Sequence, residues 1–185
     1  MDELYYKPLT FNNMKIAITG HRPNKLGNDY DLTSPLIKWI RKQITSIINS
    51  YNKGEFTQTY TSNLTFITGM ALGIDTLFAK IAIENNIPFI AAIPCVGQEY
   101  RWIKKSQDLY NEILSHPLCT KNLLRNSMYT NTCMQNRNIW MVDNCDLLIA
   151  VWDGTSGGTA NCVKYAKSVN KEIIIINPLT FNNNG

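Results

Sequence analysis

The sequence predicts an α/β fold: a single Rossmann-like, doubly wound, mostly parallel sheet with helices on both faces. Short apolar segments such as Leu147-Leu148-Ile149-Ala150-Val151 and Ile173-Ile174-Ile175-Ile176 run without polar alternation. That pattern suits strands buried on both faces. Segments with apolar residues at helical spacing separate them, alternating with strands along the chain. Several strands also end directly in glycine-bearing loops: Gly20-His21-Arg22-Pro23, Gly69 to Asp75, and Gly154 to Thr159. Right-handed crossovers set such loops along one edge of a sheet, where they converge on one cleft.

Residues before Met14 read as an extended tail with aromatic anchors at Tyr5, Tyr6 and Phe11, so the expected division is a tail over 1–13, the Rossmann-like domain over 14–178 and a second tail over 179–185. Pro8-Leu9-Thr10-Phe11-Asn12-Asn13 recurs word for word as Pro178-Leu179-Thr180-Phe181-Asn182-Asn183, with no longer repeat around it. Met14 to Thr19 is the first strand. From Thr33 to about Tyr51, Leu36, Ile37, Ile40, Ile44, Ile47 and Ile48 recur at helical spacing. Thr33 or Ser34 suits the cap and Pro35 the first turn. Leu64 to Thr68 is the second strand, followed by a helix to about Asn85. Pro88 to Ile93 is the third, followed by a helix from about Gln98 to Leu114. Residues 116 to 130 are hard to read, with a short strand at Asn122-Leu123-Leu124. A helix over Thr132 to Asn144, the strand at Asp146 to Val151, a helix from Gly158 to about Val169 and the strand Glu172 to Ile176 complete the series.

At 185 residues the chain is long enough for one domain with a sizeable core. A hydrophobic share of 44% argues against disorder, and a net charge of +4 permits an anionic ligand without indicating nucleic acid. The five cysteines are irregularly spaced, with no C-x-x-C pair and only two histidines. Reduced thiols in a cytoplasm fit this better than a disulfide framework or a metal site. No signal-peptide pattern and no run long enough to span a bilayer is present, so the expectation is a cytoplasmic protein without a membrane partner.

The candidate chemistry sits in the loops. Gly157, Gly158 and Thr159, with Gly154, fit a phosphate cradle of backbone N–H groups at a helix start. Arg22 can hold a phosphate or carboxylate by forked hydrogen bonds, and His21 beside Gly20 can donate to phosphate or carry a proton; a plain turn with Arg22 in solvent is the alternative. In Gly69-Met70-Ala71-Leu72-Gly73-Ile74-Asp75, Asp75 serves either the helix dipole or a ribose hydroxyl or acid role. Arg137, followed by Asn138, is flanked by packing residues and so needs a partner, either a protein carboxylate or a bound anion. Tyr100 and Trp102 offer faces for a purine, or simply pack.

Together these segments resemble the superfamily that joins the DNA-processing protein DprA (Smf) with the LOG cytokinin-activating phosphoribohydrolases, the SLOG fold, and most nearly its stand-alone YpsA-like members. The likeness rests on Gly20-His21-Arg22-Pro23, Thr68 to Asp75, Arg137 to Asp143, and Val151-Trp152-Asp153-Gly154 with Gly157-Gly158-Thr159. It implies a nucleotide-derived ligand held across these loops. LOG enzymes place a Glu just beyond their Gly-Gly-x-Gly-Thr; here Asn161 and Cys162 stand there. Glycoside hydrolysis needs carboxylates at the reacting carbon, leaving Asp75, Glu99, Asp143 and Asp153 as substitutes.

The resemblance therefore leads to the expectation of a sensor or sequestering protein for a nucleoside phosphate, ADP-ribose or NAD-derived signal. Arg22 and Arg137 would neutralise charge, Asp75 or Asp153 would take ribose hydroxyls, and Tyr100 or Trp102 would stack the base. The alternatives are an N-ribosyl hydrolase using Asp75 or Glu99, and DprA-like binding of single-stranded DNA. No cofactor is expected, a homodimer or larger assembly is, and nucleic acid is not expected as a partner, because the basic residues are scattered and DprA's flanking domains are missing.

Overall fold

A computed structural model describes residues 13–52 and 64–182 of the chain. The aromatic anchors Tyr5, Tyr6 and Phe11 and the first copy of the repeated hexapeptide up to Asn12 lie outside the described residues. Strands β1 (Met14–Gly20), β2 (Leu64–Thr68), β3 (Phe89–Ile93), β4 (Cys119–Leu123), β5 (Leu147–Val151) and β6 (Glu172–Ile176) alternate with helices α1 (Pro35–Asn52), α2 (Ile74–Glu84), α3 (Lys104–Leu114), α4 (Cys133–Asp143) and α5 (Gly158–Ser168). The strands form one sheet in the order β4-β3-β2-β1-β5-β6, and every pairing is parallel.

Both faces are covered, which is why the strands read as unbroken apolar runs. Ile16, Ile18, Phe66, Leu147 and Ile149 point to the side of α1, α2 and α3, where Phe66 and Phe78 stack at 4.2 Å. Ala17, Ile67, Ala92 and Leu148 point the other way, against Met141 and Val142 of α4 and Cys162 and Ala166 of α5. Neighbouring strand residues thus serve opposite faces, as the pleat requires.

Two elements differ from their sequence expectation. β4 begins at Cys119 and ends at Leu123, earlier than the expected Asn122 to Leu124. Like β6 it is an edge strand among the described residues, and with Thr120 and Lys121 exposed it lacks the buried pattern of the four inner strands. α3 begins at Lys104 rather than near Gln98, because Ile103 is extended (φ −65°, ψ 152°). Gln107 Nε2 reaches back to the carbonyls of Tyr100 and Trp102 and fixes the preceding residues as turns.

β1 is followed in sequence by a strand on one side and paired with β5 on the other. The order in which strands are added to the sheet therefore reverses between β1 and β5, and the loops after them part to leave a crevice at their carboxyl ends.

Candidate functional site

The crevice is a cleft of about 260 Å³ lined by the end of β1 and the loop after it, Ala71 of the loop after β2, the first turn of α2, one side of α4, and the loop from β5 into the start of α5. Its architecture follows from close backbone contacts. Gly73, at φ +94°, packs where a Cβ would lie 2.6 Å from the His21 carbonyl oxygen, so the loops after β1 and β2 can touch only with glycine there. Ile74 N donates to that same carbonyl at 3.4 Å. The β2 loop is tied by its own side chains: Thr68 Oγ1 donates to Asp75 O at 2.8 Å, Thr76 Oγ1 to Ala71 O at 2.9 Å, and Ala71 N to Asp75 Oδ2 at 3.2 Å.

Asp75 and Arg137 form the floor. Both are buried, with Arg137 Nη1 3.6 Å from Asp75 Oδ2. Arg137 also donates from Nη1 to the Gly69 carbonyl and from Nε to Asn138 Oδ1 at 3.0 Å. Its partner is therefore the protein itself, a carbonyl and a carboxylate together. Burial pushes the Asp75 carboxyl above its ordinary range and outweighs the opposing pull of Arg137 and Arg22. Asn138 Nδ2 donates to Gly158 O at 3.3 Å and so joins α4 to the start of α5.

One wall is the β5 to α5 loop. Asp153 accepts from Thr155 N at 2.9 Å and Thr155 Oγ1 at 2.6 Å, which closes the loop on itself. The Thr155 hydroxyl is the main reason the Asp153 carboxyl is held well below its usual range, with His21 adding to it. His21 is buried, its Nε2 2.8 Å from Asp153 Oδ1 and 3.2 Å from Asp153 N. A protonated Nε2 serves the carboxylate, and a bare one takes the backbone N–H. Lys25 crosses the mouth, its Nζ 2.5 Å from Thr155 Oγ1 and 3.1 Å from Ser156 O. At the start of α5, the N–H groups of Gly158 and Thr159 meet no acceptor among the described residues. Open N–H groups at a helix start, together with the helix dipole, favour an anion.

Of the sequence-derived candidates, Gly20, His21, Arg22, Ala71, Asp75, Arg137, Asn138, Gly157, Gly158 and Thr159 come together in this cleft. Others stand apart from its lining. Gly69 gives Arg137 its seat, where a Cβ would lie 1.6 Å from Nη1, Met70 is core, and Gly73 is the contact between loops. The Asp153 carboxylate is turned onto Thr155 and His21, and Gly154 lies in the same turn. Trp102 packs edge-on against Tyr110 at 5.4 Å, while Tyr100 is exposed outside the cleft and Glu99 lies beside it in sequence. No acid occupies the first turn of α5; Asn161 is exposed, and burial pushes the Cys162 thiol up to about 12.

Thr19, Asn24, Lys25, Met134, Thr155 and Ser156 also line the cleft and were not singled out from sequence. Thr155 and Ser156 carried a signal, being hydroxyls between Gly154 and Gly157. Met134 lies three positions before Arg137 and so on its helix face. Lys25 carried none, because its reach depends on the 3-10 turn Pro23–Lys25.

Comparison with known proteins bears on both fold and partner. An SPbeta prophage-derived protein of Bacillus subtilis, YoqJ, is 28% identical over 117 residues, which cover 55% of this chain and 68% of that protein. A UPF0398 protein of Bacillus thuringiensis is 22% identical over 166 residues, 85% of this chain and 84% of that protein. The crystal structure of DNA processing protein A from Streptococcus pneumoniae superposes with a TM-score of 0.60 at 17% identity, over 90% of this chain and 51% of that one. The chain thus spans about half of that protein. DNA processing protein A from Helicobacter pylori, described for its single-stranded DNA binding mode, gives a TM-score of 0.56 at 17% identity over 92% of this chain and 67% of that one. Residues 41–185 match the profile of DNA recombination-mediator protein A. These findings overturn the expectation that nucleic acid is not a partner: that expectation rested on missing flanking domains and on scattered charge, which does not register residues such as Arg22 and Lys25 that the fold gathers at one edge. Among the described residues no helix is long and apolar enough to cross a membrane. With most of its length matched and the SLOG-type fold in place, the chain belongs to the DNA recombination-mediator protein A (DprA/Smf) family.

Proposed function

We propose that the cleft binds a backbone phosphate of single-stranded nucleic acid, so that the chain acts as a strand-binding domain. The observation that carries this is a pair of open donors at the start of α5, the N–H groups of Gly158 and Thr159 that meet no acceptor among the described residues, in a cleft that Arg22 and Lys25 also line. Helix start and guanidinium act together on a doubly charged or diester phosphate, and neither needs base identity. Membership of the recombination-mediator family and the DNA binding stated for the Helicobacter pylori neighbour support nucleic acid as the phosphate's source. The chain covers 51% of the Streptococcus pneumoniae protein and 67% of the Helicobacter pylori one, and recombination mediation by this chain is part of the proposal.

A second reading is favoured by the enclosed floor: the cleft as a sensor or sequestering site for a free nucleoside phosphate, ADP-ribose or NAD-derived signal. The volume of 260 Å³ is near the lower end for small-ligand pockets, about 300 Å³, which suits one nucleotide unit. Anisotropy of a labelled oligothymidylate at low salt, with AMP and ADP-ribose as competitors, separates the two. Saturable strand binding that mononucleotide displaces only weakly supports the first. Absence of strand binding, with ADP-ribose retained intact, refutes it in favour of the second.

A further inference from the structure

We infer that the loops after β3 and β4 form a stacking platform for unpaired bases, with Tyr100 and Tyr129 presenting the faces. This deepens, and rests on, the proposal that the neighbouring cleft holds a strand's phosphate.

Tyr100, Met128 and Tyr129 are 61%, 59% and 60% exposed, and all three lie on these two loops. The loops run side by side, since Leu124 N donates to Ile93 O at 2.9 Å and Val96 N to Ser127 O at 3.0 Å. Tyr100 is held in place: its ring covers Gly97, where a Cβ would lie 2.5 Å from Cε2, and its N–H bonds the Gly97 carbonyl at 3.2 Å. One face of that ring is therefore seated on backbone while most of the side chain stays in water. An aromatic pre-positioned in this way stacks on a base without paying for its own ordering. Trp102, by contrast, spends its ring on Tyr110.

Charge favours an anionic occupant. Each loop exposes one arginine, Arg101 and Arg125, and Glu99 is the lone carboxylate in residues 94–103 and 124–132. Arg125 is steadied by Ser127 Oγ. The platform is also continuous with the cleft. Gln98 Nε2 donates to the Gly69 carbonyl that Arg137 shares, at 3.4 Å, and to Met70 O at 3.1 Å. Beyond Tyr129 the chain enters α4, whose Met134 lines the cleft. A strand with one phosphate at α5 thus has aromatic faces ahead of it along the same sheet edge. Paired bases hide their faces inside the duplex, so the occupant is single-stranded.

The test compares binding of the full chain to an oligothymidylate and to a strand of equal length made of abasic sites. The base-bearing strand should bind tighter by about 5-fold to 150-fold per stacked base. In Tyr100→Ala/Tyr129→Ala that ratio should fall toward one, and in Tyr100→Phe/Tyr129→Phe it should persist, with melting curves confirming that each variant is folded. Equal binding of both strands by the wild-type chain, or an undiminished ratio in the alanine variant, overturns the platform and leaves the phosphate cleft standing. Binding of neither strand at low salt overturns the proposed function and the platform with it.

Discussion

Arg137 is buried against Asp75 and the Gly69 carbonyl, and that seat is specific to a residue without a Cβ at position 69. Gly69→Ala forces the guanidinium out and leaves buried polar groups unpaired, which costs about 1–3 kcal/mol. Thermal unfolding should register the loss, and oligonucleotide binding should weaken as the cleft floor rearranges. Asp75 supplies a pH signature. Its folded-state carboxyl is raised above the ordinary 3.8 by burial, so the native state holds the proton more tightly than the unfolded chain does. The stability this confers is fully present below 3.8 and is lost as pH rises through the raised value. Asp75→Asn removes the titration, so denaturant unfolding should show the variant gaining on the wild type between mildly acid and neutral pH; a constant difference would refute the assignment. Arg137's need for a partner was legible from its place among packing residues. That the partner would be a carbonyl and Asp75 together was not, because it depends on how α4 crosses the β2 loop.

At the scale of elements, the β5 to α5 loop is organised by Asp153 rather than by its glycines alone. The Asp153 carboxylate takes both Thr155 donors and faces His21. Its lowered carboxyl contributes stability that is present above 3.8 and lost as pH falls below it. Asp153→Asn should therefore narrow the difference from wild type in acid, and near neutral pH it should cost about 1 kcal/mol by denaturant melts. Gly157 stands at φ +138° and ψ −167°, and a Cβ there would meet nothing within 4 Å, so its constraint is backbone rather than space. Gly157→Ala should cost about 1–3 kcal/mol and turn the Gly158 and Thr159 N–H groups away, lowering affinity for the strand. The glycine turn into α5 was legible because glycines and a helical pattern follow a buried strand directly. The turns before α3 and the edge strand β4 were not. Gln98 is spent on carbonyls from another loop, and β4, Cys119–Leu123, carries exposed Thr120 and Lys121 instead of an apolar run.

Over the whole molecule, parallel strand order leaves a crevice at the one place where neighbouring loops diverge, between β1 and β5. The alternation of strands and helices made the fold and the position of that crevice readable from sequence. The proposed partner was not readable in the same way, because Arg22, Lys25, Arg101 and Arg125 are scattered along the chain and only the fold lays them along one edge. Strand binding by such an edge releases counterions from phosphates, so affinity must fall with salt. The most direct test is the slope of log affinity against log salt for an oligothymidylate, in the wild-type chain and in Arg22→Ala and Lys25→Ala. The expected result is measurable binding at low salt, a negative slope, and a slope shallower by about 0.7 for each phosphate contact removed. Absence of binding at low salt, or variants with the wild-type slope and affinity, would contradict strand binding at this cleft.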